Sequence, residues 1–220
     1  MKFISDGIQN WYLRLIDPAI NFFIKIEIHP NHFTTVGFLI QLVAVYFIAT
    51  GKFFVGGALI WLSGTCDIID GKIARTRGIG TKFGALYDST LDRYSEFIMF
   101  FGLSYYFVSG EYFLTSIITF VALGGSLMTS YIRARSEALG LYKKVGKMQR
   151  PERIVYIGGA AVLSGIPYLS QLISPYPLII VLVIIAITSN ITAFQRLVVM
   201  YKLTDNGREL LYTDNDRARK

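Results

Sequence analysis

The sequence predicts an all-α membrane protein: six transmembrane helices preceded by an N-terminal amphipathic helix lying in the membrane interface. Three observations predict it. The 220 residues are 53% hydrophobic and 15% aromatic, with a mean hydropathy of +0.46. Only 17% are charged, against about 25% in soluble domains. Finally, the apolar residues gather into runs of about 20, the length that crosses a bilayer core as a helix, and the basic residues fall almost entirely on one set of connections.

The elements follow in order. Residues 1–30 form a juxtamembrane segment. Lys2 is the only charge before Asp6, and Asp6, Asn10, Arg14 and Asp17 interrupt any apolar core, so no cleavable signal peptide is expected. Ile8, Trp11, Tyr12, Leu15 and Ile16 recur at helical spacing, which predicts an interfacial helix with Trp11 and Tyr12 at headgroup depth. Pro18 is expected to redirect the chain into a second apolar stretch, residues 19–28. Spans are predicted at about 33–50, 53–73, 84–108, 112–132, 154–172 and 176–200. They leave no room for a soluble domain, so residues 1–220 read as one transmembrane domain with a tail at 204–220.

Orientation follows from charge. One set of connections holds Gly51-Lys52, Ser109–Glu111 and 165–176. The other holds 75–82, 133–153 and both termini. Lys52 is the only one of the 22 Lys and Arg residues in the first set. Positive charge marks the cytoplasmic side, so both termini are predicted there. The net charge of +7 is then a topology signal, and no nucleic-acid-binding module accompanies it. Cys66 is the sole cysteine and excludes an internal disulfide; it reads as helix packing. Gly124-Gly125-Ser126 and Gly158-Gly159-Ala160-Ala161 permit close helix packing, within the chain or against a second copy in a homodimer.

Four aspartates stand out against this apolar background. Asp67 and Asp70 share a helix face at the inner end of the second span, and Asp88 and Asp92 do so near the start of the third. Gly78 and Gly80 between them suit a tight turn. A hairpin of the two helices points all four carboxylates at one volume. Hard oxygen ligands of this kind suit Mg2+ or Mn2+. Two ions roughly 3.5–4 Å apart would grip both oxygens of an in-line displacement at phosphorus. Gly71 and Ala74 leave room for a ligand, and Arg75 and Thr81 can donate to a pyrophosphate. Glu96, one turn beyond Asp92, reads either as a support to this site or as a packing and ion-pairing residue. His29 and His32 are assigned to the interface without catalytic work.

Residues 67–92 fit D-x2-D-G-x2-A-R-x8-G-x3-D-x3-D at eight fixed positions. This pattern resembles the signature of the CDP-alcohol phosphotransferase family. The resemblance implies metal ligation by Asp67, Asp70, Asp88 and Asp92, with Asp92 also the general base. It further implies that Gly71, Ala74, Arg75, Thr81 and Gly84 hold the cytidine diphosphate part of a CDP-diacylglycerol-type donor. Pro30 and Asn31, in HPNHFTTVG, match a Pro-Asn that family members carry near the nucleotide; the other reading is an ordinary helix start with Asn31 as N-cap. Further on, SYIRARSEALG…RPER…QRL is similar to the pattern of phosphatidylinositol phosphate synthases. That similarity implies an inositol phosphate acceptor whose phosphate is held by Arg133, Arg153 and Arg196. Arg133 stands where lysine is usual. The implied reaction is phosphatidyl transfer to an inositol phosphate with release of CMP. Glycerol phosphate, serine or free inositol are the alternative acceptors. A cation-coupled transporter is the remote alternative, disfavoured because the aspartates lie at a membrane edge and no internal repeat is evident.

Overall fold

A computed structural model describes residues 6–143, 145–146 and 148–204. The predicted tail from residue 205 and the first five residues lie outside that range. The described residues form eight helices and no strand: α1 (Asp6–Lys25), α2 (Pro30–Ala49), α3 (Phe53–Arg77), α4 (Lys82–Ser109), α5 (Phe113–Ala138), α6 (Arg150–Gly165), α7 (Leu169–Ile173) and α8 (Tyr176–Leu203).

Four of these, α2, α3, α5 and α8, are long and apolar enough to cross a membrane. The other two predicted spans come out differently. α4 has the length, but Asp88, Asp92, Arg93 and Glu96 fall within its first fifteen residues. The predicted span 154–172 is interrupted: α6 ends at Gly165, and α7 starts at Leu169. Pro167 lies in the break, where it has no N–H for a helical ladder. At sixteen residues α6 is about 24 Å long.

The bundle is arranged inside out relative to a soluble domain. Phe97, Phe101, Phe120, Ile180, Ile187 and Phe194 point outward. Thr119, Ser126, Thr129 and Ser189 are buried, with Ser104 and Ser116 hydrogen-bonded at 2.6 Å between α4 and α5. Small polar residues allow close helix approach where the surroundings are as apolar as the side chains. The small-residue runs are used this way within the chain. A Cβ on Gly158 would meet the Trp61 side chain and one on Gly57 the Gly158 carbonyl, while one on Gly125 would meet Asn190. The apolar core itself runs through Ile48, Ile60, Phe100, Leu103, Leu178 and Leu182.

α1 differs from expectation at Pro18, which sits inside one continuous helix rather than redirecting the chain. The helix packs along the second half of α3: Tyr12 bonds Thr65 at 2.5 Å, Asp17 pairs with Lys72, and Ile20 is buried with Ile69 and Ile73. Trp11, Leu15, Phe22 and Ile26 remain exposed at spacings that share one face. The side chain of Ile8 lies outside those described.

Candidate active site

α3 and α4 form the hairpin that carries the aspartates. Gly78 ends α3 in the left-handed conformation (φ 63°, ψ 23°), where a residue with a Cβ would be strained. Gly80 does not have a positive φ. Thr81 then caps α4, its Oγ1 accepting from the Gly84 N–H at 2.9 Å. Four residues thus reverse the chain and bring the two aspartate pairs together.

Asp67, Asp70 and Asp88 each offer a carboxylate oxygen within 4.8 Å of the others. Asp70 is buried and accepts a 2.6 Å hydrogen bond from Thr34 Oγ1 of α2. Asp92 does not join this trio. Its Oδ1 pairs with Arg150 Nη2 at 2.7 Å, and Arg150 Nη1 reaches Asp67 Oδ2 at the same distance. An all-oxygen cluster of three closely set carboxylates fits a hard divalent cation. Asp67, Asp70 and Asp88 would hold it, with Asp92 beside them.

The residues implied for the donor fall into two contact groups on α3, α4 and the start of α2. A Cβ on Gly71 would stand 3.2 Å from Arg75 Nη1, so the guanidinium folds over the glycine. A Cβ on Gly84 would stand 3.1 Å from Thr81 Oγ1 and 3.2 Å from Asn31 Oδ1. Asn31, Thr81 and Gly84 are therefore brought together. Asn31 is not the N-cap that its type suggested. His29 caps α2 instead, its Nδ1 accepting from the Asn31 N–H at 3.2 Å, and Pro30 takes the first helical position. That frees the Asn31 side chain to face Gly84. Ala74 supplies the carbonyl that accepts from the N–H of Ile79 at 3.2 Å. Cys66 packs on α2, its Cβ 3.0 Å from where a Cβ of Gly37 would be.

The arginines separate. Arg133 and Arg196 line a cavity of about 190 Å3 with Ser136, Glu137, Lys143 and Gln149. Arg133 is exposed and pairs with Glu137 at 2.8 Å. Arg196 is buried and donates to the carbonyls of Val145 (2.8 Å) and Thr129 (2.6 Å). Arg153 is not part of the cavity lining. It is 1% exposed, paired with Glu96 at 2.6 Å and bonded to the Met148 carbonyl at 3.2 Å. Glu96 is thus an ion-pairing residue, one of the two readings its position allowed. Sequence reasoning missed Thr34 and Arg150. Arg150 sits three residues before Arg153 on the same helix face, inside the RPER segment, and that spacing was its only signal.

Comparison with known proteins places this geometry. Residues 27–189 match the CDP-alcohol phosphatidyltransferase family, and the chain belongs to it. It is 34% identical to a phosphatidylinositol phosphate synthase of Mycobacterium marinum over 188 residues, 84% of this chain and 79% of that protein. It is 35% identical to an archaetidylinositol phosphate synthase of Methanothermobacter thermautotrophicus over 190 residues, 86% of this chain and 90% of that one. The fold is similar to the crystal structure of the Mycobacterium tuberculosis phosphatidylinositol phosphate synthase with CDP-DAG bound, at a TM-score of 0.76 and 32% identity, covering 86% of this chain and 94% of that one. The same enzyme in complex with manganese and citrate gives a TM-score of 0.74, covering 84% and 88%.

Proposed function

We propose that this membrane enzyme transfers a phosphatidyl group from a CDP-diacylglycerol-type lipid to an inositol phosphate, releasing CMP. The acceptor hydroxyl oxygen attacks the lipid-side phosphorus, the bond from that phosphorus to the CMP oxygen breaks, and the acceptor proton passes to Asp92. Asp67, Asp70, Asp88 and Asp92 would hold Mg2+ or Mn2+, two ions by this reading, which supply a counter-charge to the pyrophosphate. Asn31, Gly71, Arg75, Thr81 and Gly84 orient the nucleotide half of the donor, with Pro30 and Ala74 setting the backbone around it. Arg133 and Arg196 bind the acceptor phosphate, and Arg153 stands behind them. A forked guanidinium suits phosphate oxygens.

One observation carries the reading. Gln149 lines the arginine cavity, and its neighbour Arg150 pairs with two of the aspartates. The proposed acceptor cavity and the proposed metal cluster are therefore served by consecutive residues, which suits a reaction between a phosphorylated acceptor and a pyrophosphate donor.

The six-span topology, with the interfacial α1 and with both termini and the site on the cytoplasmic side, belongs to the same proposal. It is supported by the confinement of basic residues to one set of connections. The exposed apolar face of α1 suits an interface. The test is a panel of radiolabelled acceptors with CDP-diacylglycerol in detergent, with and without divalent metal. Inositol phosphate should be the preferred acceptor, and chelation should stop CMP release until Mg2+ or Mn2+ is restored. Preference for glycerol phosphate, serine or free inositol would change the acceptor, and full turnover in chelator would remove the metal site.

A further inference from the structure

Arg150 holds two of the four aspartates, yet nothing in the reaction assigns it a role. Its fork spans two helices, reaching Asp67 on α3 and Asp92 on α4 at 2.7 Å each. Its side chain is largely buried, and its Nε has no hydrogen-bond partner among the described residues. The neighbouring arginines are anchored otherwise. Arg153 donates to the Met148 carbonyl and to Glu96, and Arg196 donates to two carbonyls. Those carbonyl bonds persist whatever happens at the aspartates. Among the described residues the Arg150 side chain has no such carbonyl anchor: its ion pairs are with the carboxylates that would ligate metal.

We infer that Arg150 is a displaceable internal counter-cation that competes with divalent metal for Asp67 and Asp92. The inference rests on the metal-site reading above. Arg150 and the nearby Arg93 still leave the four carboxylates with an excess of negative charge, so the site stays attractive to a divalent ion while remaining tolerable without one. It also accounts for the position of Asp92, which is drawn toward α6 and away from the Asp67, Asp70 and Asp88 trio. Metal then completes its ligand set only by taking Asp92 and Asp67 from Arg150. A ligand shifts such an equilibrium by its differential affinity for the two arrangements. The released fork lies beside the cavity that Gln149 lines, where substrate phosphate gives it a new partner.

The test is Mn2+ alone titrated into the full-length, detergent-solubilised protein and read by electron paramagnetic resonance. Arg150→Ala should bind Mn2+ at least tenfold more tightly than the native chain, because the competing cation is gone. Millimolar guanidinium added to that variant should weaken its Mn2+ affinity back toward the native value, an effect no merely structural role of Arg150 would produce. Equal or weaker Mn2+ binding by the folded variant, or no response to guanidinium, overturns the inference and leaves the metal site standing. No Mn2+ binding by the native chain overturns the metal site and this inference with it. Should the variant fail to fold, the native protein decides: phenylglyoxal labelling of Arg150, followed by peptide mass spectrometry, should rise on adding Mn2+. Unchanged or reduced labelling overturns the competition.

Discussion

The aspartate cluster and the arginine cavity are linked through the consecutive residues Gln149 and Arg150 but are built in opposite ways. The aspartates come from 26 consecutive residues on one hairpin, Asp67 to Asp92, so the turn at Gly78–Thr81 alone brings them together. The arginines come from three helices, α5, α6 and α8, and packing between elements decides the partners of Arg153, on α4, and of Arg196, while Arg133 pairs within its own helix. The hairpin sets three carboxylate oxygens within 4.8 Å of one another, like charges gathered at one point. The cavity instead contains cations that already have partners, Glu137 for Arg133 and two carbonyls for Arg196. Local geometry produces a site poised for ligands, whereas long-range geometry divides a set of similar residues into different jobs.

Four measurements would break or sharpen this contrast. The largest effect belongs to the hairpin. Asp92→Asn should lower turnover by roughly 10²–10⁴-fold, the worth of a positioned base, while CDP-lipid binding is largely retained. A loss below tenfold, measured as CMP release, would take the base role away from Asp92.

Next comes the arginine that the cavity excludes. Arg153→Ala leaves Glu96 buried without its counter-charge, and breaking a buried pair in this way costs roughly 3–5 kcal/mol. Thermal unfolding in detergent should show a markedly less stable protein. A variant of native stability with weakened acceptor binding would return Arg153 to the phosphate pocket.

Arg133→Ala should do the reverse. Its partner Glu137 is exposed, so stability should hardly change, but the acceptor KM should rise about 10- to 150-fold, the worth of about 1.5–3 kcal/mol for a charged hydrogen bond. The donor KM should stay near native. If the two KM values move together, Arg133 is not selective for the acceptor.

The smallest effect is expected behind the metal site. Thr34→Val removes the hydroxyl that orients Asp70, and losing such a support typically costs 10- to 100-fold in metal affinity. Mn2+ titration measures it, and an unchanged affinity would show that α2 contributes only packing to the hairpin.

By itself the sequence determined the helical class, the apolar spans at α2, α3, α5 and α8, and the aspartate hairpin. Each is a local matter: hydrophobic run length, residue spacing along a helix, and a glycine able to adopt a positive φ. The residues proposed for the donor, Gly71, Arg75 and Gly84, also lie on that one hairpin. Only the tertiary structure decided that Arg153 faces Glu96, that Arg150 spans Asp67 and Asp92, and that Thr34 supports Asp70 across a helix interface. It also decided that Pro18 sits within α1 and that His29, rather than Asn31, caps α2. The physical reason is that charged side chains in a dry bundle pair with whatever helix packing brings within about 3 Å. That choice depends on residues 36 to 83 positions apart, a separation over which no periodicity in the chain carries information.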